Sequence, residues 1–150
     1  MCALHESRES AEYYSECLDE VKRLGLSQNV EMVTDFLEND ESMQLLQASD
    51  VMVMAYHPSM ESASGAVRFC LAALRPTITT DQSIFKEFSG CTYQIDESDP
   101  GKIADAIDHV LTSQETEKLM VNTKRYIKEN SWYETGHKFY RLYNKVLGRE

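Results

Sequence analysis

The chain is short of positive charge. Fifteen lysines and arginines stand against 25 aspartates and glutamates, for a net charge of −10. A nucleic acid or an anionic membrane surface as main partner would want a basic patch, so the balance speaks against both. A single site for a small phosphorylated ligand stays open, because it needs only a few local donors. Cysteine spacing of a metal or redox kind is also missing. Cys2, Cys17, Cys70 and Cys91 lie far apart with no CxxC pair, which reads as free thiols in a reducing cytosol. His5, His109 and His137 form no ligand spacing with carboxylates, so no metal is expected. No apolar run approaches the roughly 20 residues that span a bilayer, and the start "MCALHESRES" has no apolar signal region. Repeats, linkers, a GxGxxG or P-loop pattern and a GxSxG elbow are absent.

What is present is an ordinary globular composition, 42% hydrophobic and 27% charged over 150 residues, enough for one domain with a core. Tyr14, Cys17, Leu18, Val21 and Leu24 at helical spacing predict a helix over 8–25 that Gly25 can end. Strands are expected at 29–34, 50–56, 76–81 and 91–96. Helices are expected at 40–49, 64–75, 100–113, 114–129 and 132–147, with a helical turn at 83–90. The charged run "ENDES" (38–42) reads as a solvated loop or a helix start. Asp99 and Pro100 make an N-cap and first-position pair. Trp132, Phe139, Tyr140 and Tyr143, at helical spacing, are expected in the core. This alternation predicts an α/β fold, a Rossmann-like parallel sheet flanked by helices, with further helices at the C-terminus. Ligands on such folds bind beyond the carboxyl ends of the strands.

One loop at such an end is unusual. In "AYHPSMESASGAVR" (55–68) a glutamate, a glycine and an arginine sit between the apolar runs "DVMVM" and "FCLAAL". Ser64 can cap a helix whose first positions are Gly65, Ala66 and Val67. Their N–H groups have no acceptor inside the helix, and Gly65 permits close approach to the backbone. The set forms either an anion site, most naturally for phosphate, or a plain capped connection. Arg68 opposes the helix dipole in the first turn. It calls for compensation by a bound phosphate or by a carboxylate such as Glu61 or Asp81. His57 precedes Pro58 and is biased to extended backbone. It can face a ligand at Glu61 or serve as a structural histidine.

Several motifs in order carry a resemblance. The apolar strand is followed by "PSMESASGAVRFCLAALRP" (58–76), then by "D…IFKE" and "DPGKIADAI". Together they resemble the C-terminal, donor-binding domain of retaining glycosyltransferases of the GT-B fold, glycosyltransferase family 4 type, as in bacterial polysaccharide biosynthesis. The likeness covers about residues 12–148. It implies a hexosyltransferase that moves a sugar from a UDP- or GDP-type donor to a glycan or lipid acceptor, without metal or cofactor. Glu61 would be the catalytic carboxylate at the donor sugar. His57, Ser59, Ser62, Ser64, Gly65, Ala66, Val67 and Arg68 would hold sugar and diphosphate. Thr34, Asp35 and Phe36 would lie near the nucleotide base. A second glutamate usually holds the ribose; here its position carries Phe69 or Cys70, depending on the anchor. On this reading the chain is a single nucleotide-sugar-binding domain that lacks its first strand or strands and the N-terminal acceptor domain, and is inactive alone. The last helix of the family crosses back to that domain, so part of the aromatic face at 132–147 would be exposed without it. The implied location is cytoplasmic, with the inner face of a membrane reached through the missing domain as an option. A non-catalytic scaffold, or another Rossmann-like binding module, are the alternatives.

Overall fold

A computed structural model describes residues 6–58 and 63–149. They fall into two compact units, divided after Ser42.

The first unit is built on helix α1 (Arg8–Arg23). Ser7 caps it, its hydroxyl accepting from Ser10 N–H at 3.2 Å, and Gly25 at φ +70° turns the chain out of it. The strand expected over 29–34 does not form. The N–H groups of Asn29 and Val30 bond back to the Leu26 carbonyl instead. Val30 and Met32 are 38% and 36% exposed. Strand preference is a preference for a half-buried pleated surface, and these side chains have not found one.

Helix α2 (Asn39–Ala48) starts within the charged run. From Met43 onward the chain forms the second unit, around a parallel sheet in the order β1 (Met52–Met54), β2 (Thr77–Thr80), β3 (Tyr93–Ile95). The register aligns Val53, Ile78 and Tyr93. Helix α3 (Gly65–Ala72) and a 3-10 helix (Ser83–Phe88) link the strands. After β3 come α4 (Pro100–Thr112), α5 (Glu115–Glu129) and α6 (Trp132–Val146).

Side-chain alternation divides the core. Met52 and Met54 pack with α3, while Val51 and Val53 pack with α4 and Ile78. This explains why "DVMVM" is apolar without a break, since both faces are covered. Val67, Leu71, Ile84, Phe85, Phe88 and Cys91 form the cluster on the α3 side. Ile78, Ile95, Ala106 and Val110 form the one under α4.

The central strand is unusual in being both buried and hydroxylated. Thr77, Thr79 and Thr80 are fully enclosed, and each hydroxyl is bonded: Thr77 to the Arg75 carbonyl, Thr79 to Thr92 Oγ1 at 3.0 Å, Thr80 to the Tyr56 carbonyl at 2.8 Å. Burial without those partners would be costly.

The aromatic stripe of α6 is not in the core. Trp132 is 91% exposed and Tyr143 63%, with Phe139 and Tyr140 in the same state. Helical spacing fixes which side chains share a face but not what covers that face. Among the described residues nothing covers this one enough to bury any residue of α6. Among the same residues, no helix is long and apolar enough to cross a membrane.

Candidate functional site

Because the three strands are parallel, the loops that follow them leave the same edge of the sheet. β1 leads toward α3, β2 into Asp81 and the 3-10 helix, and β3 through Asp96–Asp99 into α4. Two helix N-termini therefore open on this edge. Asp99 caps α4, accepting from Lys102 N–H at 3.0 Å, with Pro100 in the first turn. Ser64 caps α3, its hydroxyl accepting from Val67 N–H at 3.2 Å. Both caps fall where the sequence places them.

The α3 N-terminus refines the expected donor set. Val67 contributes a buried side chain to the core, and its N–H is taken by Ser64. First-turn donors for an outside anion are thus narrowed to Gly65 and Ala66, both exposed. Among the described residues, a Cβ built on Gly65 would meet no heavy atom within 4 Å, so none of them demands its small size. Ser64→Ala removes the cap and is expected to lower stability by about 1 kcal/mol, read as a shift in the urea midpoint.

Arg68 has a partner that its own neighbourhood does not reveal. The expectation names Glu61, which lies outside the described residues, Asp81 or a phosphate; among the described residues the guanidinium grips Glu87 of the 3-10 helix. Nη2 donates to both carboxylate oxygens at 2.8 and 2.6 Å. Nη1 donates to the Tyr126 hydroxyl at 3.2 Å, and the group lies 5.6 Å from the Phe88 ring centre. Burial first, and the Glu87 charge next, push the Tyr126 phenol above its ordinary range. Glu87 and Tyr126 lie 19 and 58 residues from Arg68, beyond any local spacing signal, although "IFKE" contains Glu87.

His57 is also engaged. Its Nδ1 is 3.3 Å from Ser98 Oγ, which ties the loop after β1 to the loop after β3. Next to it Lys102 pairs with Glu97 at 2.6 Å and Asp96 at 3.3 Å. The bond to Glu97, followed by that to Asp96, raises the ammonium above its usual value. The structure thus brings His57, Ser64, Gly65, Ala66, Val67 and Arg68 to one edge. Glu61, Ser59 and Ser62 lie outside the described residues. Thr34, Asp35 and Phe36 belong to the first unit. There Thr34 is half-buried, Asp35 is exposed and Phe36 is 83% exposed.

Cys70, one of the two positions for the second glutamate, is 5% exposed and packs with Met52 and Ala73. Burial raises the Cys70 and Cys91 thiols above their ordinary value, which suits packing rather than reactivity. Among the described residues no three His, Cys, Asp or Glu side chains gather in a way that could hold a metal ion. A groove of about 490 Å³ between α4 and α5 is lined by Val110, Leu111 and Met120. It lies at the far end of α4 from Asp99 and belongs to a different part of the unit.

No protein-family model matches the chain, and no curated protein does. Solved structures do. The C-terminal domain of a glycosyl transferase group 1 family protein from Francisella tularensis superposes with a TM-score of 0.68 at 17% identity, over 83% of this chain and 65% of that one. Sucrose-phosphate synthase from Thermosynechococcus elongatus superposes with a TM-score of 0.76 at 14% identity, over 99% of this chain and 38% of that one. The chain therefore spans under two thirds of either protein. Its architecture is that of the C-terminal, Rossmann-like α/β domain of GT-B glycosyltransferases.

Proposed function

We propose that this chain is the donor-binding half of a retaining glycosyltransferase, of family 4 type, that uses a UDP- or GDP-sugar. The observation that carries the reading is the capped α3 N-terminus at the carboxyl edge of the parallel sheet, with Gly65 and Ala66 exposed and Arg68 in the same turn. In this reading the donor's diphosphate meets those two N–H groups, where the helix dipole favours negative charge. The same groups stabilise the charge that develops on the leaving diphosphate. Glu61 addresses the sugar, and His57 and Ser98 shape the wall beside it. Neither metal nor cofactor takes part.

The acceptor, a glycan or lipid, is held by an N-terminal domain. The exposed aromatic face of α6 packs against that domain, and closure of the two halves excludes water. The isolated chain then binds donor weakly and transfers nothing. The working location is the cytoplasm, with any membrane contact made through the other domain.

Titration of the labelled chain with UDP, GDP and their sugars, followed by NMR, tests this. Shifts clustered at 57–68 are expected. A second reading, a non-catalytic scaffold, is favoured by one observation: Cys70 is turned into the core and gives the ribose no carboxylate. Absence of shifts with every nucleotide would select it over the first.

A further inference from the structure

We infer that Glu87 is a built-in competitor of the donor diphosphate for Arg68, so that the guanidinium passes from a carboxylate to the ligand on binding. The inference rests on the donor-site reading above. In the structure Arg68 makes two bonds to Glu87 and one to Tyr126, with the Phe88 ring centre 5.6 Å from the guanidinium carbon. Glu87 is held through one guanidinium nitrogen, Nη2, so it does not use the two-nitrogen fork that a guanidinium can offer a phosphate. Here Glu87 holds the charge that an anion at the α3 N-terminus would draw away.

The hold is firm in geometry but weak in energy. The Arg68 and Glu87 side chains are 48% and 36% exposed, and pairs this open to water contribute little. Arg68 lies within one turn of Gly65, and helical side chains lean toward the N-terminus. A swing of the side chain therefore carries the charge toward the exposed first turn. A diphosphate offers more negative charge than one carboxylate and sits at the positive end of the helix dipole.

Tyr126 completes the device. Its hydroxyl accepts from Arg68 and lies 3.4 Å from Glu87 Oε2 as a donor. The raised phenol pKa keeps that proton in place. Glu87 thus retains a donor after Arg68 departs, which lowers the cost of the exchange.

Titration calorimetry on the chain with inorganic pyrophosphate, UDP and GDP tests the competition. Glu87→Gln keeps the side-chain shape and is expected to bind about 2- to 5-fold tighter than the parent, the range set by an exposed pair. Arg68→Ala is expected to bind more weakly, and Glu87→Gln should then give no gain in the Arg68→Ala background. A gain that persists without Arg68 would mean plain charge repulsion and overturns the exchange. So does parent-level binding by Glu87→Gln, which leaves the donor-site reading standing. If neither the parent nor Glu87→Gln binds any of the three ligands, both readings fall. A side-chain readout guards against misfolded variants. In the parent the Arg68 Nε–H cross-peak should move on saturation with pyrophosphate, and an unmoved peak with bound ligand refutes the inference.

Discussion

Phe85→Ala is expected to destabilise the second unit by about 3–5 kcal/mol, the largest stability loss we predict for a single substitution. Phe85 is fully buried, and its ring lies 5.1 Å from that of Tyr56 at a tilted angle. Its neighbours include Val67 and Leu71 of α3. Truncation removes the transfer free energy of the ring and leaves a void that the tightly placed α3 and 3-10 helix cannot fill. Domains of this size are stable by about 5–15 kcal/mol, so the variant should populate unfolded chains at low urea. Equilibrium urea titration followed by circular dichroism reads the change. A loss below about 1 kcal/mol would show that the cluster beneath the α3 N-terminus is loosely packed. The proposed diphosphate site would then lack a rigid base.

Glu61→Gln should have the largest effect on activity. In a protein that carries both halves, transfer is expected to fall by about 100-fold or more, the range for removing a group that acts on the reacting centre. The substitution keeps size and hydrogen-bonding reach and removes only the charge. Binding of the nucleotide part should therefore hold while turnover drops. Steady-state kinetics with varied donor measures both. Unchanged turnover would remove Glu61 from the chemistry and leave the α3 N-terminus as a binding feature alone.

Local chemistry explains which parts of the fold were legible in the sequence. The strands at Met52, Thr77 and Tyr93 stand out as apolar or β-branched runs bounded by turns. The caps at Ser64 and Asp99 are signalled by the side chains that make them. The run 29–34 has the same local appearance but no ladder. A strand is a relation to a neighbour, and its sequence carries only half of that relation. The α6 stripe failed in a similar way. Spacing showed that Trp132, Phe139, Tyr140 and Tyr143 share a face, and their burial depends on a surface that spacing does not specify.

At the candidate site the same division holds. Ser64, Gly65 and Arg68 could be placed from their order along the chain. The identity of Arg68's partner could not, because Glu87 arrives through packing of the 3-10 helix. The role of Val67 was half visible. Its amide was foreseen as a donor, while its side chain anchors the core and its N–H serves the cap.

The bond from Thr80 to the Tyr56 carbonyl has a use for protein engineering. It moors the chain where it leaves β1, and the Ser64 cap moors it where α3 begins. Both moorings draw on residues outside the intervening segment or at its very edge. Redesign of the connection between them is anchored at both ends, provided that His57, which meets Ser98, and the proposed catalytic Glu61 are kept. Loops that keep His57 and Glu61 could be grafted between the two posts while the hydroxyl-lined central strand stays untouched.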